Sequence, residues 1–136
     1  MDEAAPAGER PNPFWLLLDV AAIVAFVVVG RDTHQESNSL TDVIRTAAPF
    51  LLALVVGWFV TRAKYDPLSW ATGLGVFAVV FVGGMLARRF LYDDGTAAAF
   101  VIVSGVFFAI TLLGWRAGVR LVERRRASAK TTTRAD

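Results

Sequence analysis

Asp19 is the one charged residue inside an otherwise apolar run from Phe14 to Gly30. An ionisable side chain within such a run is costly unless it faces protein or water. Asp19 therefore reads either as half of a structural ion pair, with Arg62 or Arg116 as counter-charge, or as a proton or cation site. A second polar group gathers in two short connecting stretches: Arg31, His34, Arg45 and Thr46 in the first, and Arg88, Arg89 and Thr96 in the second. Its arginines could hold an anionic headgroup or solute while His34 titrates near neutral pH. The favoured reading is a solvated rim of ion pairs with the nearby Asp32, Glu36, Asp93 and Asp94, because charges of both signs are expected at helix ends. His34 beside Asp32 and Glu36 matches no specific metal spacing, so no metal site is assigned. No zincin, P-loop, nucleophile elbow or dinucleotide fingerprint is present, so no catalytic residue is named and no cofactor is implied. With no cysteine, disulfides, thiolate metal sites and cysteine nucleophiles are excluded.

The elements that must position these groups are four apolar blocks: Phe14 to Gly30, Val43 to Val60, Leu68 to Ala87 and Thr96 to Leu113. Each is near the ~20 residues that a helix needs to cross a bilayer, or slightly under. The chain is 55% hydrophobic and only 19% charged, with a mean hydropathy of +0.51, and its charges cluster between the blocks. Barrel strands would alternate apolar and polar residues, whereas Val20 to Val29 and Phe50 to Val60 are apolar on all sides. A soluble bundle would need a polar face on each helix. The fold class is therefore all-α, an integral membrane four-helix transmembrane bundle. Residues 1–13 read as a disordered cytoplasmic leader without the basic region and cleavage site of a signal peptide. Residues 14–121 form the transmembrane domain, and 122–136 a basic cytoplasmic tail.

Orientation follows from the positive charges. With four spans, the leader, middle loop and tail share one side and carry ten of the fourteen lysines and arginines. The positive-inside rule then puts both termini in the cytoplasm, in a multi-pass protein of the plasma membrane. Trp15, Trp58, Trp70 and Trp115 all fall at the cytoplasmic ends of the blocks, where indole rings favour the interface. The tail's Arg120, Arg124, Arg125 and Arg126 would anchor that topology and attract anionic lipid. Nucleic-acid binding is not expected of a basic run beside a membrane.

Small residues four apart mark where helices could approach closely in lipid. Gly83 with Ala87, Gly105 with Ala109, and Gly114 with Gly118 are such pairs, and Gly84 adds to the third block. Pro49 is placed in the first turns of the second helix, where its missing N–H costs little. Thr46-Ala47-Ala48-Pro49-Phe50 and Thr96-Ala97-Ala98-Ala99-Phe100 open the second and fourth helices, which later reach Gly57-Trp58 and Gly114-Trp115. Two copies of one hairpin, or coincidence between alanine-rich helices, would each account for this.

The motifs Gly30-Arg31-x-x-His34, Arg45-Thr46-x-x-Pro49-Phe50, Gly83-Gly84-Met85-x-x-Arg88-Arg89 and Gly95-Thr96-Ala97-x-x-Phe100 resemble an uncharacterised bacterial family of small four-helix membrane proteins, domain of unknown function number 3054. The resemblance covers about residues 14 to 118. It implies architecture rather than activity, and it directs attention to the outer face, where Arg31, His34, Arg45, Thr46, Arg88, Arg89 and Thr96 fall. Asp19 belongs to none of these motifs. Three classes of function remain: an accessory or interaction subunit of a larger membrane complex, an oligomeric small-solute or ion transporter or channel, and a lipid-headgroup-binding protein or enzyme. Small size, glycine-rich faces and the lack of a catalytic motif favour the first. The expected partners are the lipid bilayer and either a second copy in a homodimer or a larger membrane complex.

Overall fold

The computed structural model describes residues 13–33 and 39–135, and among these there is no strand. Four helices follow in order: α1 Phe14–Thr33, α2 Leu40–Val60, α3 Trp70–Phe90 and α4 Ala98–Ala135. Each is long and apolar enough to cross a membrane. In lipid a helix satisfies its own backbone N–H and C=O groups, so blocks that are apolar all round take this form.

The boundaries move from the sequence expectation for local reasons. Helix α2 begins at Leu40, ahead of its apolar block, because the Ser39 hydroxyl accepts a hydrogen bond from the Asp42 amide and closes an N-cap. Pro49 is therefore well inside α2, not in its first turns, and it is buried. Lacking an N–H, it leaves one bond of the helical ladder unmade. Helix α4 continues beyond the apolar block and remains helical to Ala135 as an exposed basic segment. Ser69 caps α3 by accepting from the Thr72 amide.

Both α3 and α4 contain one π turn, Val79–Gly83 and Ala109–Leu113. Such a turn inserts one extra residue, so everything beyond it is rotated by about 100° from its place on an unbroken helix. In α4 this sets the direction of Trp115 and Arg116.

Helix α1 packs on α2, α2 on α3, α3 on α4, and α4 closes back on α1, giving an up-down ring. Its centre is filled with phenylalanine. The Phe26 ring meets those of Phe50, Phe100, Phe107 and Phe108 at centroid distances of 4.8 to 6.0 Å. Ile23, Leu54, Val76, Val80 and Leu112 are buried around them. The outward faces are apolar too: Phe59 is 85% exposed, and Leu52, Val55, Ile102, Val106 and Ile110 are exposed with it. Such a surface suits hydrocarbon and would be an aggregation hazard in water.

The small residues divide by position. A Cβ at Gly84 would collide with the Phe50 ring, one at Gly105 would approach Phe81 Cε2 to 3.2 Å, and one at Gly83 would meet Ala53 Cβ at 3.4 Å. Ala87 and Ala109 are half-buried. A Cβ at Gly114 or Gly118 would meet nothing within 4 Å, so no close neighbour in the bundle requires glycine at these two.

Candidate functional site

Five residues into α1, the Asp19 side chain has no exposed surface. The charge that meets it comes from α4, since the turn of helix after Leu113 aims Arg116 into the ring. Arg116 is 1% exposed and grips the carboxylate with both terminal nitrogens, Nη1 to Oδ1 at 2.9 Å and Nη2 to Oδ2 at 2.7 Å. Its Nη1 also donates to the Leu112 carbonyl at 2.6 Å and its Nε to the Pro67 carbonyl at 2.8 Å. The two remaining acceptor positions of the carboxylate are filled by indoles. Trp58 Nε1 donates to Oδ2 and Trp115 Nε1 to Oδ1, each at 2.8 Å. A carboxylate offers about four acceptor positions, and all are used here. Above the pair, the Arg116 guanidinium lies 4.3 Å from the Trp115 ring centroid, and Trp15 stacks on Trp115 at 5.4 Å. A Cβ at Gly73 would come within 3.0 Å of Arg116 Cδ, so glycine there leaves room for the arginine stem.

This cluster joins α1, α2, α4 and the α2–α3 loop at one end of the ring. A buried pair usually does little for net stability, because desolvation offsets the attraction, but losing one partner is severe. Of the two counter-charges open to Asp19, the structure uses Arg116. Arg62 is exposed, has a left-handed backbone with φ 55°, and lies 5.9 Å over the Tyr65 ring. Sequence reasoning placed Trp58 and Trp115 as interface anchors and missed their role as donors. The signal was available in the paired Gly57-Trp58 and Gly114-Trp115 dipeptides, whose indoles occupy one oxygen each of the same carboxylate.

At the opposite end the polar residues separate into two sets. Within the α1–α2 hairpin, Arg31 Nη1 donates to Thr46 Oγ1 at 3.1 Å, and its Nη2 lies 3.8 Å from Asp42. Within the α3–α4 hairpin, Arg88 Nε donates to the Gly95 carbonyl at 3.0 Å, its Nη1 lies 3.7 Å from Asp94, and its guanidinium covers the Phe100 ring at 4.6 Å. Arg89 reaches Asp93 at 4.0 Å on the exposed side. Arg45 is exposed without an ion pair or hydrogen bond among the described residues, and Thr96 is half-buried just before α4. His34 lies outside the described residues. Arg31 and Arg88 thus each clamp the helix that follows them, which is mainly a structural use of charge. Among the described residues no group of three potential metal ligands comes together.

A family model described as a protein of unknown function (DUF3054) matches residues 16–119, the four spans without the basic extension. No curated protein and no solved structure matches the chain.

Proposed function

Because the chain belongs to the DUF3054 family, whose description assigns no activity, we propose from its own geometry that it is an accessory or interaction subunit. It would sit in the plasma membrane with both termini cytoplasmic and work through surface contact with a larger complex. The observation that carries this reading is the filled centre. Five phenylalanine rings occupy the middle of the ring, and the acid buried within α1 is held by four donors. One protomer of this form offers a packed wall to its neighbours rather than a conduit. The charge bias of ten against four supports the orientation, and the basic end of α4 would lie near anionic lipid.

The transporter reading needs a pathway formed between protomers, since packed rings fill the space within one. Purification in mild detergent separates the readings. Recovery of a stable second protein supports the accessory role. A homo-oligomer alone, with a melting temperature that rises on adding a small solute, refutes it in favour of transport. Turnover of co-purified lipid that depends on His34 would instead establish the lipid-directed class.

A further inference from the structure

The end of the bundle that carries the Asp19–Arg116 pair also bears an open groove between the α2–α3 loop and the extension of α4. Asp66, Leu68, Ser69, Arg120, Glu123 and Arg124 line it. Arg120 Nη1 donates to the Leu68 carbonyl at 3.1 Å, which fixes the extension against the loop. Arg31, Arg88, Arg89 and Arg116 each face a carboxylate. Asp66, Glu123 and Arg124 make no ion pair or side-chain hydrogen bond among the described residues, although both signs border one concavity.

Depth is the second consideration. At 1.5 Å per residue, Arg120 and Arg124 stand about 6 Å and about 12 Å beyond Arg116 along α4. The headgroup layer on one side of a bilayer is roughly 5–7 Å thick. With Arg116 at the inner edge of that layer, the groove would begin within it and open at its outer edge. Its lining carries two cations, Arg120 and Arg124, and two anions, Asp66 and Glu123, so the net charge is zero. A purely anionic ligand would gain from the arginines and lose to the acids. A group with phosphate and ammonium side by side satisfies both.

We propose that this groove binds the zwitterionic phosphate–ammonium headgroup of a phosphatidylethanolamine lipid, with Arg120 and Arg124 on the phosphate and Asp66 and Glu123 on the ammonium. The inference rests on the membrane reading but not on the accessory role. The ammonium donates hydrogen bonds to carboxylate oxygens, and the guanidinium of Arg124 donates to phosphate oxygens, both being charge-assisted contacts. Because Asp66, Glu123 and Arg124 are exposed, substitutions at these three leave the packed bundle alone.

Native mass spectrometry of the full chain in mild detergent, with phosphatidylethanolamine and phosphatidylglycerol added in equal amounts, tests this. The wild type should retain phosphatidylethanolamine over phosphatidylglycerol by about tenfold, the worth of one charge-assisted contact. Arg124→Ala should weaken retention of both lipids, and the double variant Asp66→Asn/Glu123→Gln should erase the preference for phosphatidylethanolamine. Arg45→Ala, at the far end, should change neither. Soluble phosphoethanolamine should displace the lipid only at millimolar concentration, and tighter binding of the free compound would overturn the lipid assignment. Equal retention of phosphatidylglycerol by the wild type, or a preference for phosphatidylethanolamine that survives Asp66→Asn/Glu123→Gln, would also overturn it. Failure of the membrane reading is recognised earlier and separately, as protein recovered in the aqueous fraction without detergent.

Discussion

Replacing Asp19 by asparagine keeps the volume of the side chain and removes its charge. In either orientation the amide nitrogen then confronts one indole N–H and one guanidinium N–H where an oxygen had accepted both. Arg116 keeps its bonds to the Pro67 and Leu112 carbonyls and one to the amide oxygen, and becomes an uncompensated cation with 1% exposure. Breaking a buried pair from one side costs about 3–5 kcal/mol. Asp19→Asn should therefore lower stability by that amount, read as the unfolding free energy in detergent micelles titrated with a denaturing detergent. The double variant Asp19→Leu/Arg116→Met removes both charges and both desolvation penalties but leaves the Trp58 and Trp115 N–H groups without their acceptor, and should recover part of the loss. Arg62→Ala, at the counter-charge that the fold does not use, should stay within about 0.5 kcal/mol of wild type. A loss under about 1 kcal/mol for Asp19→Asn, or a double variant no better than the single, would refute the assignment of Asp19 as a structural charge held by Arg116.

Gly84→Ala should destabilise by about 1–3 kcal/mol, since its new methyl group must displace the Phe50 ring. Gly114→Ala, with open space at its Cβ, should instead raise the melting temperature slightly, by the helix propensity of about 1 kcal/mol or less. Thermal unfolding of the two variants side by side in one detergent checks both. Arg88→Ala should cost about 1–2 kcal/mol through loss of its bond to the Gly95 carbonyl and its cover on Phe100, whereas Arg45→Ala should be neutral in the same assay. Cysteines placed at Ser37 and Gly95 should react with an impermeant thiol reagent from outside intact cells, and a cysteine at Ser128 only after lysis. The reverse pattern would invert the topology.

Much of the architecture was legible because it depends on residue type within one short window. Four runs near the length of a bilayer, each apolar all round, admit few forms other than spanning helices. The ends of those helices were less legible. Ser39 drew α2 forward past its apolar block, and α4 continued through a polar segment whose composition suggested a tail. The polar rim was legible as a set and as a place for ion pairs, but the partner of each arginine was not. Arg31 and Arg88 lie in comparable places in the two hairpins, and each is spent on the helix that follows it.

Asp19 marks the division most clearly. Its sequence surroundings established that the charge must be compensated, because burial in apolar surroundings is costly whatever the fold. They could not say which of two arginines would do so, as Arg62 and Arg116 are both basic residues near the same end. That choice was made by tertiary structure. The ring brings α4 against α1, and the π turn at Ala109–Leu113 rotates Arg116 inward together with Trp115. Trp58 from α2 and the Pro67 carbonyl from the following loop complete the cage. Sequence alone thus determined which groups could not remain unpaired, through the cost of burial. The pairing itself was decided by helix rotation and closure of the ring, which bring together residues separated by up to 97 positions.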